Sequence, residues 1–388
     1  HLHQMVDIFK QVAECLQAFS QHKGGLKTLC FAQNSSAGTV YLKAQLILEN
    51  YELLRDFAKK YVAFTKDVQF FHFVVMIFEY KQNGYPNKRL RLSKETRNTI
   101  SLLKKAITTE QYAALTLKDF SLEKKLKHFR VNLGHEQLLT AVLEKMNIIP
   151  QKTQFSNIIL IPQLDPENLK LVADHGEFQS LASCLPVLCL QDILLKQKSA
   201  FRKKLLDLCA APGSKSLQAA EYFDVTANEL DPQRFKILQR RAQDKFKCVN
   251  GDAFQLLDSL NSREFDAILL DPSCSSSGCM NEDERFGALF GSKKRDLAKL
   301  TAFQERILFK TLLAAHGKGV QVVSYSTCSV WEEENEGVVR KALQQFGDRW
   351  ELVKALPQWE QRGEGMEECL RAGEFGKDGF FVAVFRRK

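Results

Sequence analysis

Near the start of the chain apolar residues recur every three or four positions, at Val6, Phe9, Val12, Ala13 and Leu16 and again at Leu42, Leu46, Leu53 and Leu54. That period belongs to helices with one buried face. Gly24-Gly25 and Asn34 to Gly38 read as turns between them, and Asn83-Gly84-Tyr85-Pro86 as a loop. The most apolar window, Phe70 to Phe78, is too short to span a bilayer and reads as a buried element. A helical domain over residues 1–120 is therefore expected. Around Phe129 the pattern changes: Phe129-Arg130-Val131-Asn132 predicts a short strand, Glu136 to Met146 an amphipathic helix, and Asn157 to Ile161 a second strand. These predict a small α+β unit of βαβ type over 121–170. Strands and helices then alternate through 171–388: Leu205 to Leu208, a helix from Ser214, Val225 to Asn228, a helix from Pro232, then strands at Ala267–Leu270, Val320–Ser324 and Gly379–Phe385. Such alternation predicts an open α/β sheet.

Charge sharpens this division. Residues 1–130 carry 21 Lys and Arg against 11 Asp and Glu, a balance of +10, whereas the rest of the chain balances at −1. A basic front half, with Arg89, Arg91, Lys94, Arg97 and Lys104 clustered between Lys88 and Lys105, fits a polyanionic partner. At 45% hydrophobic and 26% charged residues, the composition is that of an ordinary globular protein. No run of about 18 uncharged apolar residues predicts a membrane helix, and the first residues lack a secretion-signal pattern. Ten cysteines without such a signal point to free thiols in a reducing compartment. No CxxC pair or His cluster completes a zinc site, so no metal is expected.

Two of those thiols have distinctive neighbours. Asp271-Pro272-Ser273-Cys274-Ser275 follows the apolar strand at 267–270, and Tyr325-Ser326-Thr327-Cys328-Ser329 follows the next one. In a parallel sheet the carboxyl ends of the strands carry the active site. Carbon 5 of cytosine is a poor nucleophile, but a thiolate adding to carbon 6 turns the ring into an enamine that accepts a methyl group. A donor site is also visible. The strand at 205–208 runs into Cys209-Ala210-Ala211-Pro212-Gly213-Ser214-Lys215, a small-residue loop that lets a ligand approach the backbone. Glu229, 20 residues beyond Cys209, supplies an acid suited to ribose hydroxyls. The loop lacks the dinucleotide and nucleoside-triphosphate fingerprints, and S-adenosyl-L-methionine fits it better.

These segments, in this order, resemble the Nop/Sun-domain RNA (cytosine-5) methyltransferases over about Phe129 to Phe385. Ser183-Cys184-Leu185-Pro186, Leu356-Pro357 and Gly379 to Val384 are most similar to the eukaryotic member-five branch, which acts on large-subunit ribosomal RNA. The resemblance implies a Rossmann-like class I methyltransferase sheet behind the helical domain and a small RNA-contacting unit. It implies Cys328 as the nucleophile, Cys274 as the residue assisting proton removal and release, and Asp271 on the cytosine edge. It places S-adenosyl-L-methionine on Cys209, Ala210, Ala211, Pro212, Gly213, Ser214, Lys215, Glu229, Arg234, Asp252 and Asp271. It also implies a monomer acting in the nucleus, at the nucleolus, on ribosomal RNA or a pre-ribosomal particle, with no membrane partner. The sequence departs from the family in three places: Ser180 stands where an Asp is usual, Ser216 where Thr is usual and Glu229 where Asp is frequent.

Two other readings compete. In a DNA cytosine methyltransferase, Cys274 would attack and Cys328 would be a bystander. A non-catalytic ribosome-assembly factor would keep the fold as an RNA-binding scaffold. Methylation of tRNA is a third substrate choice.

Overall fold

The computed structural model describes residues 8–21, 23, 26–31, 37–61, 67–83, 98–99, 103–104, 108, 110–117, 126–162, 164–196, 201–279, 296–374 and 377–388. Its chain forms two compact units, one within residues 1–122 and the other built from 123–280 and 295–388.

The first unit is helical, with helices at Ile8–Ser20, Leu26–Phe31, Ala37–Glu49, Tyr51–Tyr61, Asp67–Asn83 and Glu110–Ala114. The predicted period holds in the first of them, where Val12, Ala13, Cys15, Leu16 and Phe19 are buried. Residues 71–79 of helix Asp67–Asn83 are buried without a break, so this helix is apolar all round and central to the unit. Glu79, a buried carboxylate of this helix, is paired with Lys43. Val6 and the basic positions Arg89, Arg91, Lys94 and Arg97 lie outside the described residues.

The second unit opens with a four-stranded antiparallel sheet. Its strands β1 (Leu126–Val131), β2 (Gln151–Lys152), β3 (Ile158–Pro162) and β4 (Gly176–Phe178) lie in the order β2-β3-β1-β4. Helix Glu136–Lys145 covers it, burying Leu139 and Leu143 with Phe129 and Ile161. A βαβ crossover would have made β1 and β3 parallel, but they are antiparallel. The two-residue β2 explains the difference, because it hairpins into β3 and reverses the chain once more. Thr153 braces that turn, donating from Oγ1 to the carbonyls of Phe155 and Ile158 at 3.1 and 2.7 Å.

Behind it lies a nine-stranded sheet comprising β5 (Lys204–Asp207), β6 (Asp224–Glu229), β7 (Lys247–Asn250), β8 (Ala267–Leu270), β9 (Val322–Thr327), β10 (Trp350–Leu352), β11 (Arg362–Gly363), β12 (Met366–Glu374) and β13 (Lys377–Arg387). The order is β11-β12-β13-β9-β8-β5-β6-β7, with β10 on β13. Strands β9, β8, β5, β6 and β7 are parallel, and β13 runs against β9. Alternation divides each strand between two cores. Leu205, Ala267 and Leu269 enter one layer, under helices including Leu181–Leu194, while Leu206, Ile268 and Leu270 enter the other, under Leu297–Lys318. After β5 the chain winds outward through β6 and β7, then returns to lay β8 on the other side of β5. That reversal of order is where open α/β sheets bind ligands.

β9 runs past its predicted end. The apolar run predicted Val320 to Ser324, yet β9 continues through Tyr325, Ser326 and Thr327. These polar residues are buried because each finds a partner: Ser326 donates to Asp271 at 2.8 Å, Thr327 to Asn335 at 2.5 Å, and the Tyr325 hydroxyl to the Glu334 carbonyl at 2.7 Å.

Candidate active site

Register delivers the two cysteine motifs to one place. Leu270 pairs with Tyr325, so Asp271 lies beside Ser326 and both chains leave the sheet together. Cys274 and Cys328 then meet, Sγ to Sγ, at 3.2 Å. Three serines fix the loops. Ser275, Ser277 and Ser329 share hydroxyl hydrogen bonds of 3.1–3.2 Å, and Ser277 and Ser329 also accept from the N–H groups of Val330 and Trp331. Glu334, fully buried, accepts from the Ser275 N–H at 2.8 Å and from Gln304 Nε2 at 2.9 Å.

The thiols are not equivalent. Cys328 is half-buried and within the electrostatic influence of the Lys215 ammonium, while Cys274 is buried and within that of Asp271. Hydrogen bonds from Cys274, then from Cys279, hold the Cys328 thiol well below its ordinary value against the opposing effect of burial, and Ser276 and Lys215 add to this. The contact with Cys328, then burial, pushes the Cys274 thiol far up. Within the pair, negative charge is therefore favoured on Cys328 over Cys274.

Lys215 ties this centre to the loop after β5. Its Nζ lies 2.8 Å from Asp271 Oδ2 and 5.2 Å from the centre of the Phe380 ring. Burial alone would lower its pKa, but Asp271 and then Asp207 and Cys328 reverse that and raise it, so Lys215 stays charged. Gly213 turns the loop with φ +106°, and helix Ser214–Ala220 follows. Arg234 donates to the Ala211 carbonyl and approaches Glu229 at 3.6 Å, bracing the loop against β6. Glu229 Oε1 accepts from the Asp231 N–H at 2.9 Å, and Asp252 Oδ1 caps helix Ala253–Ser259 through the Phe254 N–H at 2.8 Å. The predicted residues thus line up on the carboxyl ends of four adjacent strands: Asp271 after β8, Cys209 to Lys215 after β5, Glu229 on β6 and Asp252 after β7.

The donor set fits S-adenosyl-L-methionine. It offers a loop of small residues, a nearly buried carboxylate beside it, and the Asn228 Oδ1 atom, buried without a protein partner. Ser180 caps helix Leu181–Leu194, accepting from the Ser183 N–H at 3.2 Å, while Gln179 is buried between Arg130 and Gln218. Ser216 keeps the role a Thr would have, donating to Asp207 at 2.7 Å. A cleft of about 780 Å³, lined by residues such as Arg130, Leu133, Glu221, Arg240 and Arg241, contains none of the predicted site residues.

Sequence reasoning missed two contributors. Asp207 lies at the end of β5, fully buried, and Asn335 holds Thr327 from a helix start eight residues downstream. Neither position carries a visible signal in the sequence.

Residues 193–386 match the family model described as 16S rRNA methyltransferase RsmB/F. The chain is 32% identical over 279 residues to a 28S rRNA (cytosine-C(5))-methyltransferase of Mus musculus, covering 68% of this chain and 55% of the relative. It is 31% identical over 291 residues to the 25S rRNA (cytosine-C(5))-methyltransferase NSUN5 of Arabidopsis thaliana, covering 68% and 49%. The chain spans about half the length of these curated relatives. The crystal structure of NSun6 from Pyrococcus horikoshii with SFG superposes with TM-score 0.51 at 16% identity, over 80% of this chain and 96% of that one. At that identity the likeness speaks for the fold, which is that of the methyltransferase sheet described above. From its match over residues 193–386 and these relatives, the chain belongs to the RsmB/F family of ribosomal RNA methyltransferases.

Proposed function

We propose that this chain methylates carbon 5 of a cytosine in large-subunit ribosomal RNA, using S-adenosyl-L-methionine and a covalent bond between Cys328 and cytosine. The observation that carries the proposal is the 3.2 Å approach of Cys274 and Cys328. That the relatives are 25S and 28S rRNA (cytosine-C(5))-methyltransferases supports the choice of RNA. In this reading the protein works at the nucleolus, as a monomer on ribosomal RNA or a pre-ribosomal particle. We divide the labour as residues 1–120 for basic RNA contact, 121–170 for a second RNA contact and 171–388 for chemistry.

The Cys328 thiolate adds to carbon 6, and the ring electrons shift to make carbon 5 nucleophilic. The cofactor supplies an electrophilic methyl group there. Cys209 to Lys215, Glu229, Arg234 and Asp252 hold it. Asp271 keeps lone pairs free beyond those given to Ser326 and Lys215, enough to accept a hydrogen bond from the cytosine edge.

The coupling of the thiols times the last step. While Cys328 is a thiolate, Cys274 is held as a thiol by its neighbour's charge. Once Cys328 is bonded to carbon 6 that charge is gone, so Cys274 can lose its proton to solvent and, as a thiolate, take the carbon-5 proton. The electrons of that C–H bond re-form the ring double bond, and the sulfur–carbon pair returns to Cys328. The test is incubation with methyl-labelled S-adenosyl-L-methionine and large-subunit ribosomal RNA, with nucleosides read by mass spectrometry. Labelled 5-methylcytosine is expected. Label absent from RNA, both naked and in pre-ribosomal particles, would overturn the proposal.

A further inference from the structure

Three consecutive polar residues, Glu334, Asn335 and Glu336, are fully buried where the short turn Glu332–Glu334 runs into helix Glu336–Phe346. Burying two carboxylates and an amide is costly unless their hydrogen bonds are made, and here those of the first two run to the loops that carry the thiols. Asn335 spans Cys328. Its Oδ1 accepts from Thr327 Oγ1 at 2.5 Å, and its Nδ2 donates to the Ser329 carbonyl at 2.9 Å. Glu334 spans Cys274 with the help of Gln304. Its Oε1 accepts from the Ser275 N–H at 2.8 Å and from Gln304 Nε2 at 2.9 Å, and the same Nε2 donates to the Ser273 carbonyl at 3.0 Å. Each cysteine is thus held through the residue on either side of it. The turn is itself pinned: the Tyr325 hydroxyl donates to the Glu334 carbonyl at 2.7 Å, and the Asn335 N–H to the Glu332 carbonyl at 3.0 Å. Glu336 accepts from Arg371 Nε at 2.7 Å, and Arg371 Nη1 reaches the Val330 carbonyl at 2.9 Å.

We infer that Glu334 and Asn335 are positioning residues that set the two thiols at their working separation, Glu334 acting through Cys274 and Asn335 through Cys328. The inference rests on the division of labour proposed above, in which Cys328 adds to the base and Cys274 serves proton removal. Adjacent Cα atoms are about 3.8 Å apart across a planar peptide, so neighbouring side chains that grip two loops fix the spacing of those loops. The 3.2 Å between the sulfurs follows from that ruler as well as from the sheet register. The two grips differ in chemistry. Asn335 uses a donor and an acceptor on one side chain, and an ionised Asp offers only the acceptor. Glu334 uses acceptor capacity at Oε1 alone, and its Oε2 has no protein partner, so a Gln can take over its bonds.

The test separates the two chemical steps in the whole protein. Glu334→Ala, Glu334→Gln, Asn335→Ala and Asn335→Asp are compared with wild type on a large-subunit ribosomal RNA transcript, with thermal unfolding as the check on folding. Covalent protein–RNA adduct is read on denaturing gels, and labelled 5-methylcytosine by mass spectrometry. Glu334→Ala should make 5-methylcytosine about 10- to 100-fold more slowly while adduct accumulates, because addition proceeds and release stalls. Glu334→Gln should recover most of that rate. Asn335→Ala should slow by a similar factor without accumulating adduct, and should be slowed equally in trapping on 5-fluorocytosine RNA; Asn335→Asp recovers part. Adduct levels that change alike in the two alanine variants overturn the inference, as does a Glu334→Gln as slow as Glu334→Ala, since the residues would then serve packing alone. Should an alanine variant fail to fold, the conservative pair decides: slowed trapping is expected in Asn335→Asp but not in Glu334→Gln, and equal trapping rates overturn the inference. Failure of the underlying assignment is read separately, as adduct formation by Cys328→Ala.

Discussion

Asp207 shows how one buried side chain couples the fold to pH. Its carboxyl ends β5 inside the sheet, where Ser216 donates to Oδ2 at 2.7 Å and Oδ1 has no protein partner. Burial pushes its pKa up to about 7, with the Ser216 hydrogen bond acting in the opposite direction. A carboxyl raised in the folded state keeps its proton while the unfolded chain loses its own near pH 4. Its stabilising contribution is therefore complete below pH 4 and is lost as pH rises through about 7. Asp207→Asn removes the titration, so urea denaturation at pH 5 and pH 8 should show the variant gaining on wild type as pH rises. A difference between them that is the same at both pH values would contradict this reading. Asp207 was invisible as a special residue in the sequence because a strand-end Asp before a small-residue loop looks the same whether solvated or enclosed.

At the scale of elements, the loop after β5 depends on one backbone conformation. Gly213 sits at φ +106°, and a Cβ there would meet Leu238 Cδ1 at 2.8 Å. Leu238 can yield, but the backbone strain remains, at about 1–3 kcal/mol. Gly213→Ala should lower unfolding stability by about that amount and weaken S-adenosyl-L-methionine binding by roughly tenfold, read by urea denaturation and calorimetry. Unchanged values for both would contradict the role given to this loop. The loop was legible because its small residues, the apolar strand before it and Glu229 all sit close in sequence. The tail of β9 was less so: Ser326 and Thr327 break the apolar pattern, and their partners Asp271 and Asn335 make burial tolerable. Likewise β1 and β3 were visible as strands, but their antiparallel pairing hangs on the two-residue β2, too short to carry a pattern.

For the whole molecule, charge and chemistry separate along the chain. The basic excess lies in residues 1–130, suited to a polyanion, while the strand ends of the second unit hold the sulfur centre. The family and the site were legible because two short motifs keep their order and follow apolar strands. The convergence of the two thiols was not, since it depends on the β8–β9 register and on the Gly278 N–H donating to the Cys328 carbonyl. The central claim is that Cys328, and not Cys274, bonds to the base. Covalent trapping on RNA bearing 5-fluorocytosine tests it most directly, because fluorine at carbon 5 blocks the final proton removal and leaves the adduct in place. Wild type and Cys274→Ala should form an adduct that migrates as a protein–RNA species on a denaturing gel, and Cys328→Ala should form none. An adduct in Cys328→Ala, with none in Cys274→Ala, would contradict the account.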